Sequence, residues 1–193
     1  MSGLSIIGSA QHSTVEGLLD AFATAAAIGD LRGYFGCFQD GDTSRFLGTD
    51  VNENWTATEF LEFARPHFKN DGTPAWIYVP LAGKRKVDYI GDTFACFDEH
   101  LSSESFKATS RGSGSCVRNP SGHWHLVQYY LSFPIPNDLA KGFCESIARW
   151  ELGLADAQQA QLAAKRVAVM ATVAAAKAAS SQAPGAPGAP SRP

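Results

Sequence analysis

An α+β fold, with helices first and a mainly antiparallel sheet after them, is what this sequence predicts. Three observations lead there. Apolar residues recur at helical spacing as far as Phe68 and then at every second position. The alternating segments are joined by short turn sequences, Gly91-Asp92 and Asn119-Pro120-Ser121-Gly122, which connect antiparallel neighbours. Gly112 and Gly114 fall inside one such segment, where glycine marks a bulge or strong bend, so the sheet is expected to curve. Helices that precede strands, instead of alternating with them, separate this class from α/β.

Ser13 and Glu16 form an S-x-x-E capping box, and Val15, Leu18, Leu19 and Phe22 follow on one helical stripe. Gly29 closes that helix, and Asp30 caps a short second one carrying Leu31, Tyr34, Phe35 and Phe38. Residues 39–43 form a turn around Asp40-Gly41, and 45–47 with 54–55 read as a hairpin around the loop 48–53. Thr56 and Glu59 make a second capping box ahead of an apolar face of Phe60, Phe63, Ala64 and Phe68. Pro66 is expected to kink that helix, because proline removes a backbone donor and clashes with the preceding turn. Strands are expected over 76–79, 86–90, 93–101, 106–118 and 123–133.

Pro134 and Pro136 stop the last strand, and Asn137 is placed to cap a C-terminal helix. Leu139, Phe143, Ile147, Trp150 and Leu154 share one stripe of it, so its first half is expected to pack. No acidic residue follows Asp156, and the chain ends in the low-complexity run Ala183-Pro184-Gly185-Ala186-Pro187-Gly188-Ala189-Pro190. Such a run buries no apolar surface. The expected organisation is a flexible N-terminus over 1–12, a domain over 13–136, an Ala-rich helical extension over 137–179 and a disordered Pro/Ala/Gly tail over 180–193.

With 193 residues and 45% hydrophobic composition the chain suits one domain with a real core plus an extension. A formal net charge of -3 gives no general attraction to nucleic acid or anionic membrane. No Lys or Arg precedes Arg32, so neither a secretory n-region nor an Arg-rich transit peptide is visible, and a cytoplasmic location is expected. Cys37, Cys96, Cys116 and Cys144 form no C-x-x-C pair and are expected to be reduced residues filling core space.

The stretch Phe46-Leu47-Gly48-Thr49-Asp50…Glu53…Trp55 resembles the SnoaL-like branch of the nuclear transport factor 2-like superfamily. Phe97-Asp98-Glu99, Arg111-Gly112-Ser113-Gly114, Trp124 to Leu131 and Ile135-Pro136-Asn137 follow in the matching order. The resemblance covers roughly 13–138. It implies a cone-shaped fold, with helices in the concave face of a strongly curved sheet and a cavity between them. It also implies a homodimer through the outer sheet face, as in many relatives. It says little about chemistry, because the superfamily hosts isomerases, cyclases, dehydratases, hydrolases, transport factors and oligomerisation domains.

Alternation sets which residues share a face. On the last strand Trp124, Leu126, Gln128 and Tyr130 lie together, and the resemblance turns that side to the helices, bringing Gln128 and Tyr130 into the cavity. Arg111 lies with Ser113 and Ser115, and Glu99 lies with Phe97, opposite Asp98. A bulge would flip these assignments. Glu99 facing Arg111 is the expected central pair. Desolvation would suit the carboxylate to general-base catalysis, whereas the arginine would suit anion binding or a structural ion pair. Asp98 takes that role if the register is shifted. Asp50 belongs either to the pocket rim or to an Asx-type turn. Trp55, Phe97 and Tyr34 are apolar or hydroxyl contacts for a ligand, or core, and His67 overlooks the cavity mouth as an acid/base candidate.

His123 and His125 share a face at metal-site spacing, but no third ligand accompanies them, so an outer-face solvent or interface role is expected and no metal. The glycines at 112 and 114 open no helix, which excludes a phosphate cradle and a nucleophile elbow. No cofactor is expected. Three functional readings follow. The first is a binding protein for an apolar or weakly anionic small molecule. The second is an isomerase, cyclase or dehydratase with Glu99 or Asp98 as base, although the His of a SnoaL-like cyclase has no match. The third is a recruitment or oligomerisation module acting through the sheet or the C-terminal helix.

Overall fold

The computed structural model describes residues 11–39, 43–153 and 156–181. The predicted Asp40-Gly41 turn, the tail over 182–193 and most of the N-terminal segment lie outside them. The chain divides into two compact units, 1–134 and 135–193.

In the first unit α1 (Val15–Ala27) buries Val15, Leu18, Leu19, Phe22, Ala25 and Ala26. Its cap lies one residue later than the sequence suggests: the Thr14 side chain, not Ser13, accepts from the Gly17 amide at 3.1 Å. Glu16 is drawn away from the cap, because its carboxylate accepts the Tyr89 hydroxyl at 2.8 Å. Gly29 has φ +70, and a Cβ there would strike the Thr73 carbonyl. Asp30 caps α2 (Leu31–Gly36) through the Gly33 amide at 2.9 Å. The hairpin β1 (Arg45–Leu47) and β2 (Asn54–Thr56) leads into α3 (Ala57–Ala64), whose Thr56/Glu59 capping box is complete. Pro66 ends this helix instead of kinking a longer one. Residues Arg65–His67 form a 3-10 turn, and Phe68 is buried beyond it.

Four longer strands follow: β3 (Tyr78–Ile90), β4 (Phe94–Ser103), β5 (Thr109–Arg118) and β6 (Trp124–Ser132). The sheet order is β2-β1-β6-β5-β4-β3, antiparallel throughout except for the parallel β1/β6 pair. The two segments expected at 76–79 and 86–90 are one strand, continuous across a register shift between Pro80 and Arg85, where Gly83 takes φ +68. Residues 106–108, read as strand, belong to the turn region, with Lys107 at φ +55.

A second irregularity decides the inward face. Ser115 pairs with Gln128 but Cys116 pairs with Leu126, so Val127 is an extra residue on β6. Trp124 and Leu126 point inward as expected, and beyond Val127 the inward set becomes Tyr129 and Leu131. Gly112 and Gly114 are not at this bulge. They sit opposite Leu131 and Tyr129, and a Cβ at 112 would collide with the Tyr129 hydroxyl, one at 114 with the Gln128 carbonyl.

The core joins α1 and α2 to the inner face of the sheet through Tyr34, Phe35, Phe97, Leu101, Leu126 and Tyr129. Each such side chain contributes about 1.5–3 kcal/mol when withdrawn from water. All four cysteines are free. Burial pushes the Cys37 and Cys116 thiols up to about 12, as expected of inert core residues. Cys144 departs from that expectation, being exposed. His125 departs as well: it is buried, with Nε2 3.0 Å from the Asn119 side-chain amide.

The second unit holds α4 (Asn137–Leu152) and α5 (Asp156–Ser181). Pro136 occupies the N-cap position and Asn137 is already helical, so its side chain makes no cap. Leu139, Phe143, Ile147 and Trp150 keep about half their surface exposed, and Leu154 lies outside the described residues. No helix among the described residues is long and apolar enough to cross a membrane.

Candidate functional site

A cavity of about 210 Å³ opens in the first unit where the β1–β2 hairpin, α3 and β6 converge. β1 supplies Phe46 and β2 supplies Trp55, side by side in the hairpin register. The capping box fixes the start of α3, which aims Phe60 and Phe63 at the same space. Tyr34 comes from α2, Trp76 and Tyr78 from the approach to β3, Phe106 from the β4–β5 turn, and Tyr129 with Leu131 from β6. Nine of the thirteen lining residues are aromatic, so π surface sets the character of the wall. Several rings stack nearly parallel: Phe46 on Phe60 at 3.8 Å and 11°, and Trp55 on Phe60 at 5.6 Å and 11°.

Polar groups are few. Tyr34 meets Trp76 edge-on with ring centroids 5.4 Å apart, and burial holds its pKa well above the ordinary value. Burial does the same to Tyr129, with the neighbouring Glu99 charge adding to it. Gly48, Thr49 and Glu53 complete the rim. The Glu53 side chain folds back over Gly48, where any Cβ would collide with it, and takes the Asp50 amide on Oε2 at 3.1 Å. Burial first, and the Glu53 carboxylate second, raise the pKa of the Tyr78 phenol.

Glu99 does not line this cavity. It borders a second space of about 20 Å³ with Phe22, Ala26 and Leu101, behind Trp76, Tyr78 and Tyr129, which line both. Only 3% of it is exposed. Its partner is Arg85, whose Nε donates to Oε2 at 2.8 Å and whose Nη2 lies 2.7 Å from the same oxygen. Arg85 Nη1 continues to Asp20 at 2.7 Å, so the chain Glu99–Arg85–Asp20 runs from beside Tyr129 to the surface. Burial raises the Glu99 pKa, opposed by Arg85.

The expected Glu99–Arg111 pair is not formed. Glu99 stands opposite Gly112, while Arg111 stands opposite His100 on the other face and pairs with Asp98 at 3.2 Å in a half-exposed bridge. Gln128 and Tyr130 point outward because Val127 shifts the alternation by one. Asp50 is exposed and takes the Asn52 amide at 2.8 Å, an Asx turn. His67 is exposed and packs on Phe63 and Trp76 with ring centroids 5.6 and 6.1 Å away, outside the lining. Phe97 is buried behind Tyr129 at 5.8 Å. Trp55 and Tyr34 do line the cavity. Among the described residues no group of three or more His, Cys, Asp or Glu is placed to hold a metal ion.

Sequence reasoning missed Arg85, Tyr129, Tyr78 and Glu53 as site residues. Only Glu53 carried a local signal: a glycine five residues earlier, at the far end of a short hairpin loop, marks where a side chain folds back over backbone.

Residues 15–136 match the family model described as a SnoaL-like domain. No curated protein matches the chain. Among solved structures, a nuclear transport factor 2-like protein from Shewanella oneidensis is similar at 12% identity and a TM-score of 0.50, over 61% of this chain and 95% of that one. A ketosteroid isomerase-like protein from Erwinia carotovora atroseptica shares 15% identity at a TM-score of 0.46, over 63% of this chain and 95% of that one. A nuclear transport factor 2-like superfamily protein from Salmonella enterica shares 11% at 0.47, over 64% and 90%. At such identities the Shewanella likeness concerns the fold alone. With the family model covering well over half of the sequence, this chain belongs to the SnoaL-like domain family.

Proposed function

We propose that the first unit is a small-molecule binding domain that holds an apolar ligand against the aromatic wall. The observation that carries this reading is the wall itself, a concave, largely apolar surface with a few polar groups at one rim, the usual make-up of a ligand site. The weakly anionic variant of the reading loses its anchor, since Arg111 turns to the opposite face. Thr49 is exposed at the rim, so Thr49→Trp fills the mouth without disturbing the core. Titration with the neutral fluorophore N-phenyl-1-naphthylamine is expected to give saturable enhancement in the wild type. In Thr49→Trp the enhancement should be lost while the melting temperature is kept. Equal enhancement in both proteins would sink the proposal.

The enzyme reading has one observation in its favour, the buried Glu99 with a raised pKa beside a pocket tyrosine. Against it, Arg85 occupies Oε2, and Tyr129 stands between the carboxylate and the larger cavity. Proton transfer would have to pass through the Tyr129 hydroxyl. The recruitment reading rests on the exposed apolar stripe of α4, and a homodimer through the sheet remains a proposal of the fold family.

A further inference from the structure

We infer that the ligand of the aromatic cavity is a cation, an ammonium or quaternary ammonium group carrying an apolar or aromatic body. The inference rests on the reading of this cavity as a binding site and adds the charge of its occupant.

The lining contains one ionisable carboxylate, Glu53, and no Lys, Arg or His. Arg85, behind the wall, is engaged with Glu99 and Asp20, Arg65 pairs with Glu62, and the charge of Arg45 acts on Glu59. Nine aromatic rings line the space, and such a ring attracts a cation placed over a free face within about 6 Å of its centroid. Glu53 is held in place by its short loop: its amide bonds the Asp50 carbonyl at 3.0 Å and its carbonyl takes the Gly48 amide at 2.9 Å. Its effect on the Tyr78 phenol places its charge in the field of the cavity.

Each alternative ligand charge meets a cost here. An anion would face both the ring quadrupoles and a carboxylate. A neutral ligand filling the space would strip water from Glu53 and return nothing to it. A cation gains from both features. The volume suits a body somewhat larger than one aromatic ring, since an apolar cavity of about 150 Å³ already accepts benzene.

The test compares three probes of similar shape by quenching of tryptophan fluorescence, which Trp55 and Trp76 in the wall report. The probes are benzyltrimethylammonium, its uncharged carbon isostere neopentylbenzene, and phenylacetate. Wild type is expected to bind the ammonium at least about tenfold more tightly than neopentylbenzene, and phenylacetate least of all. Glu53→Gln is expected to erase about tenfold of the ammonium affinity and leave neopentylbenzene unchanged. If neopentylbenzene or phenylacetate matches the ammonium in the wild type, the charge inference is overturned and the binding site stands. If none of the three binds, the binding reading falls with it. The wild-type ranking decides the matter even should Glu53→Gln fail to fold.

Discussion

Glu99 is the residue where burial and pairing oppose each other most directly. Its carboxylate is nearly sealed from solvent, which raises its pKa, while Arg85 favours the ionised form. A carboxyl whose folded pKa is raised binds its proton more tightly folded than unfolded. Its stabilising contribution is complete below the ordinary glutamate range, about 4.3, and is lost as pH rises through the folded pKa. Glu99→Gln removes that titration. The melting temperature of the variant relative to wild type is therefore expected to improve as pH is raised from about 4 to neutrality. A gap that moves the other way would mean that Arg85 wins. The neighbouring glycine belongs to the same site: Gly112 lacks a side chain where the Tyr129 hydroxyl and Glu99 Oε1 both crowd the backbone.

At the scale of elements, α3 depends most visibly on local chemistry. Thr56 Oγ1 accepts the Glu59 amide at 3.2 Å, and the Glu59 carboxylate accepts the Thr56 amide at 2.8 Å. Thr56→Ala removes one of the two caps and is expected to cost about 0.5–2 kcal/mol, read as a lower midpoint in urea with unchanged slope. The same variant should weaken ligand binding, because α3 carries Phe60 and Phe63 into the cavity wall. This box was legible in the sequence because both partners lie within one turn. The cap of α1 was displaced by one residue because Glu16 finds Tyr89, distant in sequence, and no local pattern announces that partner. Pro66 was legible as a disruption, but its outcome, a helix end, depended on Phe68 being buried beyond the turn.

At the scale of the molecule, all lining residues of the cavity lie between Tyr34 and Leu131, inside the first unit. A protein ending at Pro134 is therefore expected to keep its thermal transition and the wild-type affinity for N-phenyl-1-naphthylamine. Light scattering on the same truncated protein tests the recruitment reading: a lower assembly mass with an intact fold supports a role for α4 and α5. Loss of binding on truncation would show that the site needs the second unit.

The sequence by itself determined the class of the fold, the order of its elements, and the family. Periodicity, turn residues and caps act over a few residues, and motif order survives when contacts are unknown. It also brought Trp55 forward through the family motif and Tyr34 through an apolar helical stripe. Tertiary structure decided which carboxylate is buried, what pairs with it, and which tyrosine of Tyr129 and Tyr130 faces the cavity. For the tyrosines the physical reason is the inserted Val127. One extra residue against a neighbouring strand reverses the inside and outside of everything after it, and only the pairing of β5 with β6 reveals it. Arg85 reached Glu99 through an equally non-local event, the register shift that carries β3 past Pro80 and sets the arginine opposite the glutamate.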